Sequence, residues 1–205
     1  RYLISVHGRG GHSGQTHALD NPIPPALTLC QAIGAMELPT RDQRFDPPTP
    51  SITVTVIDAG AADRMLNTVP DRVVIGVDRR LLPDEAIDEE ANRVRNLVAA
   101  TIRPPFRYDF EVLERWPACA TPPEALVSRA AVHAVRAVGR PDGFGMDLAG
   151  NDSSFLVEAG IPALLLGPGA PEQAHTTDET LDLGEFRDAI AIYAHLALAC
   201  ARIKE

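Results

Sequence analysis

The chain has 205 residues, room for one large domain or two small ones. Hydrophobic residues make up 45% and charged residues 23%, the balance of a globular chain and not of a disordered one. With 19 Lys and Arg against 28 Asp and Glu, a net charge of -9 excludes the basic footprint of a nucleic-acid binder, and no run of about 18 apolar residues offers a membrane span.

The chain opens on Arg1 directly in a strand, Tyr2–Val6, which reads as the interior of a longer protein. The glycine cluster Gly8, Gly10, Gly11 and Gly14 ends that strand. Residues 21–36 follow as a helix, with Asn21 as its cap and Pro22 in the first turn, where a missing N–H costs nothing. After a proline- and charge-rich loop at 39–50, Ser51–Ile57 alternates, with Ile52, Val54 and Val56 on one face and Thr53 and Thr55 on the other. A next strand carries Val73, Ile75 and Val77. The stripe Ile87, Ala91, Val94, Val98 and Ile102 marks a second helix, which Pro104-Pro105 ends. Phe106, Tyr108, Phe110 and Val112, alternating with charged residues, complete the first part. The order β-α-β-β-α-β predicts a ferredoxin-like, split βαβ domain: a four-stranded antiparallel sheet with two helices on one face.

Pro117–Pro123 reads as a linker, which divides the chain into 1–117 and 118–205. Beyond it come a helix (124–138), a short strand (143–148), a helix (153–159), the apolar run Pro162–Leu166 and a final helix (184–203). Phe186, Ile190, Tyr193, Ala197 and Cys200 form the expected buried stripe of that last helix. Short apolar strands alternating with helices predict an α/β sheet. Two strands rarely make a self-sufficient sheet, so this segment reads as half of a domain. Cys30, Cys119 and Cys200 are odd in number and far apart, which points to a reducing, cytoplasmic setting and not to a disulfide framework or a zinc finger.

Three clusters carry the polar chemistry. Gly8-Arg9-Gly10-Gly11-His12-Ser13-Gly14 follows a strand and holds an accessible histidine, a group that titrates near neutrality. A flexible turn with a surface histidine reads as well, and the Lys-Ser/Thr ending of a phosphate loop is missing. Asn67-Thr68-Val69-Pro70-Asp71 precedes a strand ending Asp78-Arg79-Arg80. These residues are either a turn and a solvated edge charge, or amide and guanidinium donors to a carboxylate. Gly167-Pro168-Gly169 and Ala174-His175-Thr176-Thr177-Asp178-Glu179 follow an apolar run at the place where α/β sheets bind ligands. His175 is a candidate metal ligand there, although zinc needs three or four protein ligands. Gly150-Asn151-Asp152 opens a helix, with Asp152 either facing the same cleft or serving as its N-cap.

Taken in order, these motifs resemble the M20 family of zinc-dependent amidohydrolases and peptidases, which includes acetylornithine deacetylase, succinyl-diaminopimelate desuccinylase, aminoacylase and glutamate carboxypeptidases. The carriers are Gly8–Ser13, Asn21, Asn67–Pro70, Asp78 and Arg80, Gly150–Asp152, Ala159–Pro162, Gly167–Gly169 and His175–Glu179. The resemblance implies an α/β chain with a βαββαβ lid, or dimerisation domain, followed by the C-terminal half of an α/β zinc-peptidase catalytic domain. It implies a dimer in which His12 reaches the partner's active site and stabilises an oxyanion. Asn67 and Arg80 would hold the substrate carboxylate, Gly167 and Gly169 would line the pocket, and His175 would bind one of two zinc ions, with cobalt or manganese as alternatives. The resemblance also implies a small N-acyl amino acid or peptide as the substrate.

Departures accompany the resemblance. The family's His-x-Asp motif, bridging Asp and Glu-Glu pair are absent, so the chain alone is expected to bind little metal and to be inactive. The usual Gly-Gly pair before the asparagine turn reads Ala59-Gly60, and the loop Ala61–Leu66 is longer than typical. A non-catalytic dimerisation or binding module built on the same lid is the alternative function.

Overall fold

A computed structural model describes residues 1–60, 66–147, 150–170, 173–174 and 176–202. The chain divides into two compact units, Arg1–Ala118 and Cys119–Glu205.

The first unit is built on β1 (Tyr2–His7), β2 (Gly11–His12), α1 (Ile23–Gly34), β3 (Ser51–Asp58), β4 (Thr68–Val69), β5 (Arg72–Arg80), α2 (Ile87–Thr101) and β6 (Arg107–Val112). The four long strands form one sheet in the order β3-β5-β1-β6. Every neighbouring pair is antiparallel. This is the split βαβ arrangement that the alternating strands and striped helices predict. Ile4, Val6, Val73, Ile75 and Val77 from the central strands meet Leu29 and Ile33 of α1 and Val94 and Val98 of α2 in one buried core. Tyr2 and Phe110 stack across β1 and β6 with ring centroids 5.3 Å apart. α1 starts two residues later than its pattern predicts, with Pro24 and Pro25 in its first turn. The N-cap position falls on Pro22 and not on Asn21, whose Oδ1, one residue earlier, accepts the Ile23 N–H at 3.1 Å.

One expectation for β3 changes. Ile52 and Val54 face the helices, but the register against β5 shifts between Val54 and Val56. Val54 is opposite Val77, then Val56 is opposite Gly76 and Ile57 opposite Ile75. The extra residue inverts the alternation, so Val56 leaves the face it was expected to share and lies 49% exposed.

The second unit holds α3 (Leu126–Ala137), α4 (Ser153–Glu158) and α5 (Leu183–Arg202). α3 packs against α5. Small residues on α3, Ser128, Ala130, Ala131 and Ala134, are buried and permit that approach. Two expectations are corrected here. The strands predicted at 143–148 and 162–166 have no ladder partner among the described residues, and Leu148 lies outside them. A strand exists only where another strand pairs with it; instead, Ala163 exchanges both its backbone hydrogen bonds with the Thr121 hydroxyl. The stripe Phe186, Ile190, Tyr193 and Cys200 is exposed. α5 is apolar on two sides, and α3 covers the row containing Ala189 instead. No described helix is long and apolar enough to cross a membrane.

Candidate functional site

The loop after β1 is a knitted structure. The Gly8 N–H donates to the Asp71 carbonyl at 2.9 Å, and Arg9 and Asp20 exchange backbone bonds at 2.9 and 3.1 Å. Two glycines are required by close approach. A Cβ on Gly8 would lie 2.0 Å from the Asp20 carbonyl oxygen, and one on Gly10 would lie 2.6 Å from that of Val69. β2 then pairs with β4, setting His12 opposite Thr68, and the Ser13 N–H donates to the Asn67 carbonyl at 2.8 Å.

His12 therefore sits beside Asn67. Its Nε2 lies 3.5 Å from the Asn67 side-chain amide, and its Nδ1 accepts the Gly14 N–H at 3.1 Å. Both residues are exposed. Residues Ser13–Ala18 form 3-10 turns, for which the His12 imidazole is the N-cap. The glycine-rich composition predicts a flexible turn here; a ring nitrogen acting as a cap leaves no hydrophobic period by which to find it.

Arg80 lies elsewhere. It ends β5, whose first residue, Arg72, is opposite His7 on the His12 side of the sheet. The nine residues of β5 separate the two places by roughly 26 Å. The structure thus groups Asn67 with His12 and sets Arg80 apart. There Arg80 grips Asp78 through Nε at 2.7 Å and through Nη2 at 3.0 Å. Arg1 also bonds Asp78, at 3.2 Å. Burial pushes the Asp78 carboxyl upward, but the Arg80 and Arg1 guanidiniums outweigh it and hold the group below the usual aspartate range.

Arg79 is not the solvated edge charge that a strand arginine usually is. Its side chain is 1% exposed and bonds Glu85 and Glu90, each at 2.7 Å. Arg93 joins Glu90 at 2.8 Å, and the two arginines keep Glu90 ionised below its ordinary range in spite of its burial. Glu85 also accepts the Leu82 N–H at 2.9 Å, so the network closes the end of β5 onto the start of α2.

In the second unit, Gly167 and Gly169 are exposed in a loop pinned to α5. The Tyr193 hydroxyl donates to the Leu166 carbonyl at 2.8 Å, and the Gly169 N–H donates to Glu185 at 3.2 Å. Gly169 has a φ of 106°, a conformation that favours glycine. Asp152 stands at the start of α4, but the side chain that accepts the Ser153 N–H, at 3.1 Å, is Asn151. His175 lies outside the described residues. Among the described residues no three His, Cys, Asp or Glu side chains converge as a metal site, so these residues do not by themselves fit a zinc centre.

Residues 1–104 match the family model described as the M20 peptidase dimerisation domain. The chain is 27% identical over 194 residues to a succinyl-diaminopimelate desuccinylase of Methylorubrum extorquens (strain PA1), covering 94% of this chain and 49% of that protein. It is 35% identical over 72 residues to a protein of the same name from Gluconobacter oxydans (strain 621H), covering 35% of this chain and 18% of that one. The chain thus spans about half the length of the curated relatives it matches over most of its residues. In structure it resembles a tripeptidase from Staphylococcus aureus, with a TM-score of 0.75 at 17% identity over 98% of this chain and 52% of the other. It also resembles the aminopeptidase PepT of Bacillus cereus, with a TM-score of 0.73 at 21% identity over 98% and 51%. These structural likenesses carry the mixed α/β fold with its antiparallel sheet. On the match of its first 104 residues, the chain belongs to the M20 peptidase dimerisation-domain family.

Proposed function

We propose that this chain supplies the lid and the closing part of the catalytic domain of a metal-dependent hydrolase. The whole enzyme would cleave an N-acyl or peptide amide bond next to a carboxylate. The observation that carries the reading is the split of the polar residues between the two ends of one sheet. His12 and Asn67 offer hydrogen bonds at one end, and Arg80 offers a guanidinium at the other. A small N-acyl amino acid is shorter than the roughly 26 Å between them. A substrate that touches all three therefore takes His12 and Asn67 from one copy and Arg80 from another, which makes the dimer part of the site.

The sheet offers one suitable edge for that dimer. β6 exposes Arg107, Asp109 and Glu111, charges that discourage pairing, whereas β3 carries no charge from Ser51 to Ile57. We assign the partner copy to β3. In this reading Arg80 holds the substrate carboxylate, exchanging part of its grip on Asp78 for the ligand. His12 donates a hydrogen bond to the oxygen that gains charge in the tetrahedral intermediate. Gly167 and Gly169 line the pocket. Metal chemistry, by zinc or by cobalt or manganese, would belong to residues other than those described, with His175 as a ligand from this chain. The free thiols Cys30, Cys119 and Cys200 accord with a reducing, cytoplasmic setting.

A second reading rests on the match to a dimerisation domain alone: a binding module that pairs with itself and catalyses nothing. One experiment separates the two. The full-length product of the reading frame is assayed on N-succinyl, N-acetyl and dipeptide substrates, and then as His12→Ala and Arg80→Ala. The hydrolase reading expects His12→Ala to lower kcat by about 100-fold or more with little change in KM. Arg80→Ala should raise KM for carboxylate substrates only. No turnover by a dimeric full-length protein supports the module instead, and an unchanged kcat in His12→Ala removes His12 from the reaction.

A further inference from the structure

The hydrogen bonds around His12 fix more than its position. Nδ1 accepts the Gly14 N–H at 3.1 Å. A ring nitrogen that accepts must keep its lone pair, so the neutral imidazole carries its proton on Nε2. The ring cannot turn over without losing this bond, because the same nitrogen caps the 3-10 turns Ser13–Ala18. Backbone pairing holds the frame around it: His12 is opposite Thr68, and Ser13 bonds the Asn67 carbonyl at 2.8 Å.

Asn67 follows from the same constraint. Its amide lies 3.5 Å from Nε2, with the nitrogen nearest. Two donors cannot bond each other, so an Nε2–H ring calls for the opposite amide orientation, with Oδ1 facing the imidazole. In that orientation Asn67 would accept the histidine proton.

We propose that the Gly14 amide locks His12 as the neutral Nε2–H tautomer. His12 is then not a general base, since its one basic nitrogen is occupied by the backbone. Gly14 is a positioning residue that acts through its N–H. The inference rests on the placement of His12 in the hydrolase site but is read without substrate, so the two can fail separately.

The test is long-range 1H–15N correlation of the histidine rings in the 205-residue chain, at a pH above the ordinary imidazole range. His12 should show a hydrogen-free Nδ1 and a protonated Nε2, with scalar coupling between the Gly14 amide nitrogen and Nδ1 across the hydrogen bond. A protonated Nδ1, or an averaged ring with no coupling, overturns the proposal. Gly14→Pro removes the N–H and should abolish the coupling and release the ring to a tautomer mixture. Asn67→Ala leaves the Gly14 bond in place, so the Nε2–H form should persist; its loss there would transfer the lock from Gly14 to Asn67 and overturn the proposal even if Gly14→Pro fails to fold. Should Nδ1 prove protonated while His12→Ala still abolishes turnover, the hydrolase reading stands and the tautomer lock falls.

Discussion

The two units treat the same residue type in opposite ways. Ile75 in β5 is fully buried between the sheet and the helices, whereas Ile190 in α5 is 58% exposed beside the exposed Phe186 and Tyr193. The first unit covers one face of its sheet with α1 and α2 and closes the end of β5 with a buried ion network. The second buries small residues between α3 and α5 and leaves the large apolar side chains of α5 in water. Contiguous exposed apolar side chains of this size mark a surface made to be covered. The difference teaches that an apolar pattern alone does not say which side chains a unit buries: the first unit buries its large ones, whereas the second leaves those of α5 exposed.

The largest test of that contrast is Arg79→Ala. Two carboxylates, Glu85 at 3% exposure and Glu90 at 9%, would lose their shared cation. Removing one partner from a buried ion cluster costs about 3–5 kcal/mol, so the urea midpoint of the first unit should fall sharply while the second unit's signal stays in place. Equal shifts in both would mean that the units unfold together. Next comes the matched pair Ile75→Ala and Ile190→Ala. The buried change should cost about 2–5 kcal/mol and the exposed one less than about 0.5, read by the same denaturation. A large cost at Ile190 would show that its face is covered in solution. A small effect is also expected at Asp78, whose ion pairs are partly exposed and worth about 1 kcal/mol or less. Its folded pKa lies below its unfolded value. The stability it adds is therefore complete above the unfolded value and is lost as pH falls through the folded one. Asp78→Asn should flatten that acid dependence, and an unchanged acid profile would remove Asp78 as a source of it.

Much of the first unit was legible because its elements repeat. Ile4, Val73, Ile75 and Val77 keep the two-residue period of strands, and Val94 and Val98 keep the four-residue step of a helix. The bulge at Val54/Val56 was not legible, since an inserted residue looks like any other until its partner strand is known. The role of Arg79 was left open for a related reason: its alternation places it on the helix-facing side, but only the fold brings Glu85 and Glu90 to it. The face of α5 could not be chosen because both of its sides are apolar and the packed one is decided by α3. For the site, the residue types were readable but not their grouping. Asn67 and Arg80 are 13 positions apart in sequence, yet it is His12, 55 positions from Asn67, that lies beside the amide. An antiparallel strand carries near neighbours in sequence to opposite ends of a sheet.

That separation makes β5 a ruler. Its nine residues fix how far the guanidinium of Arg80 stands from the imidazole end of the same lid. Adding two residues to the strand would leave every side chain on its original face, because the pleat repeats every two residues. The same insertion would move the two ends apart by about 7 Å. In the paired lid proposed above, this length would be one of the dimensions that fix where the proposed carboxylate-binding group stands relative to the partner's imidazole. The reach of such a site would then be graded in whole pleats of the sheet, independently of which side chains fill the pocket.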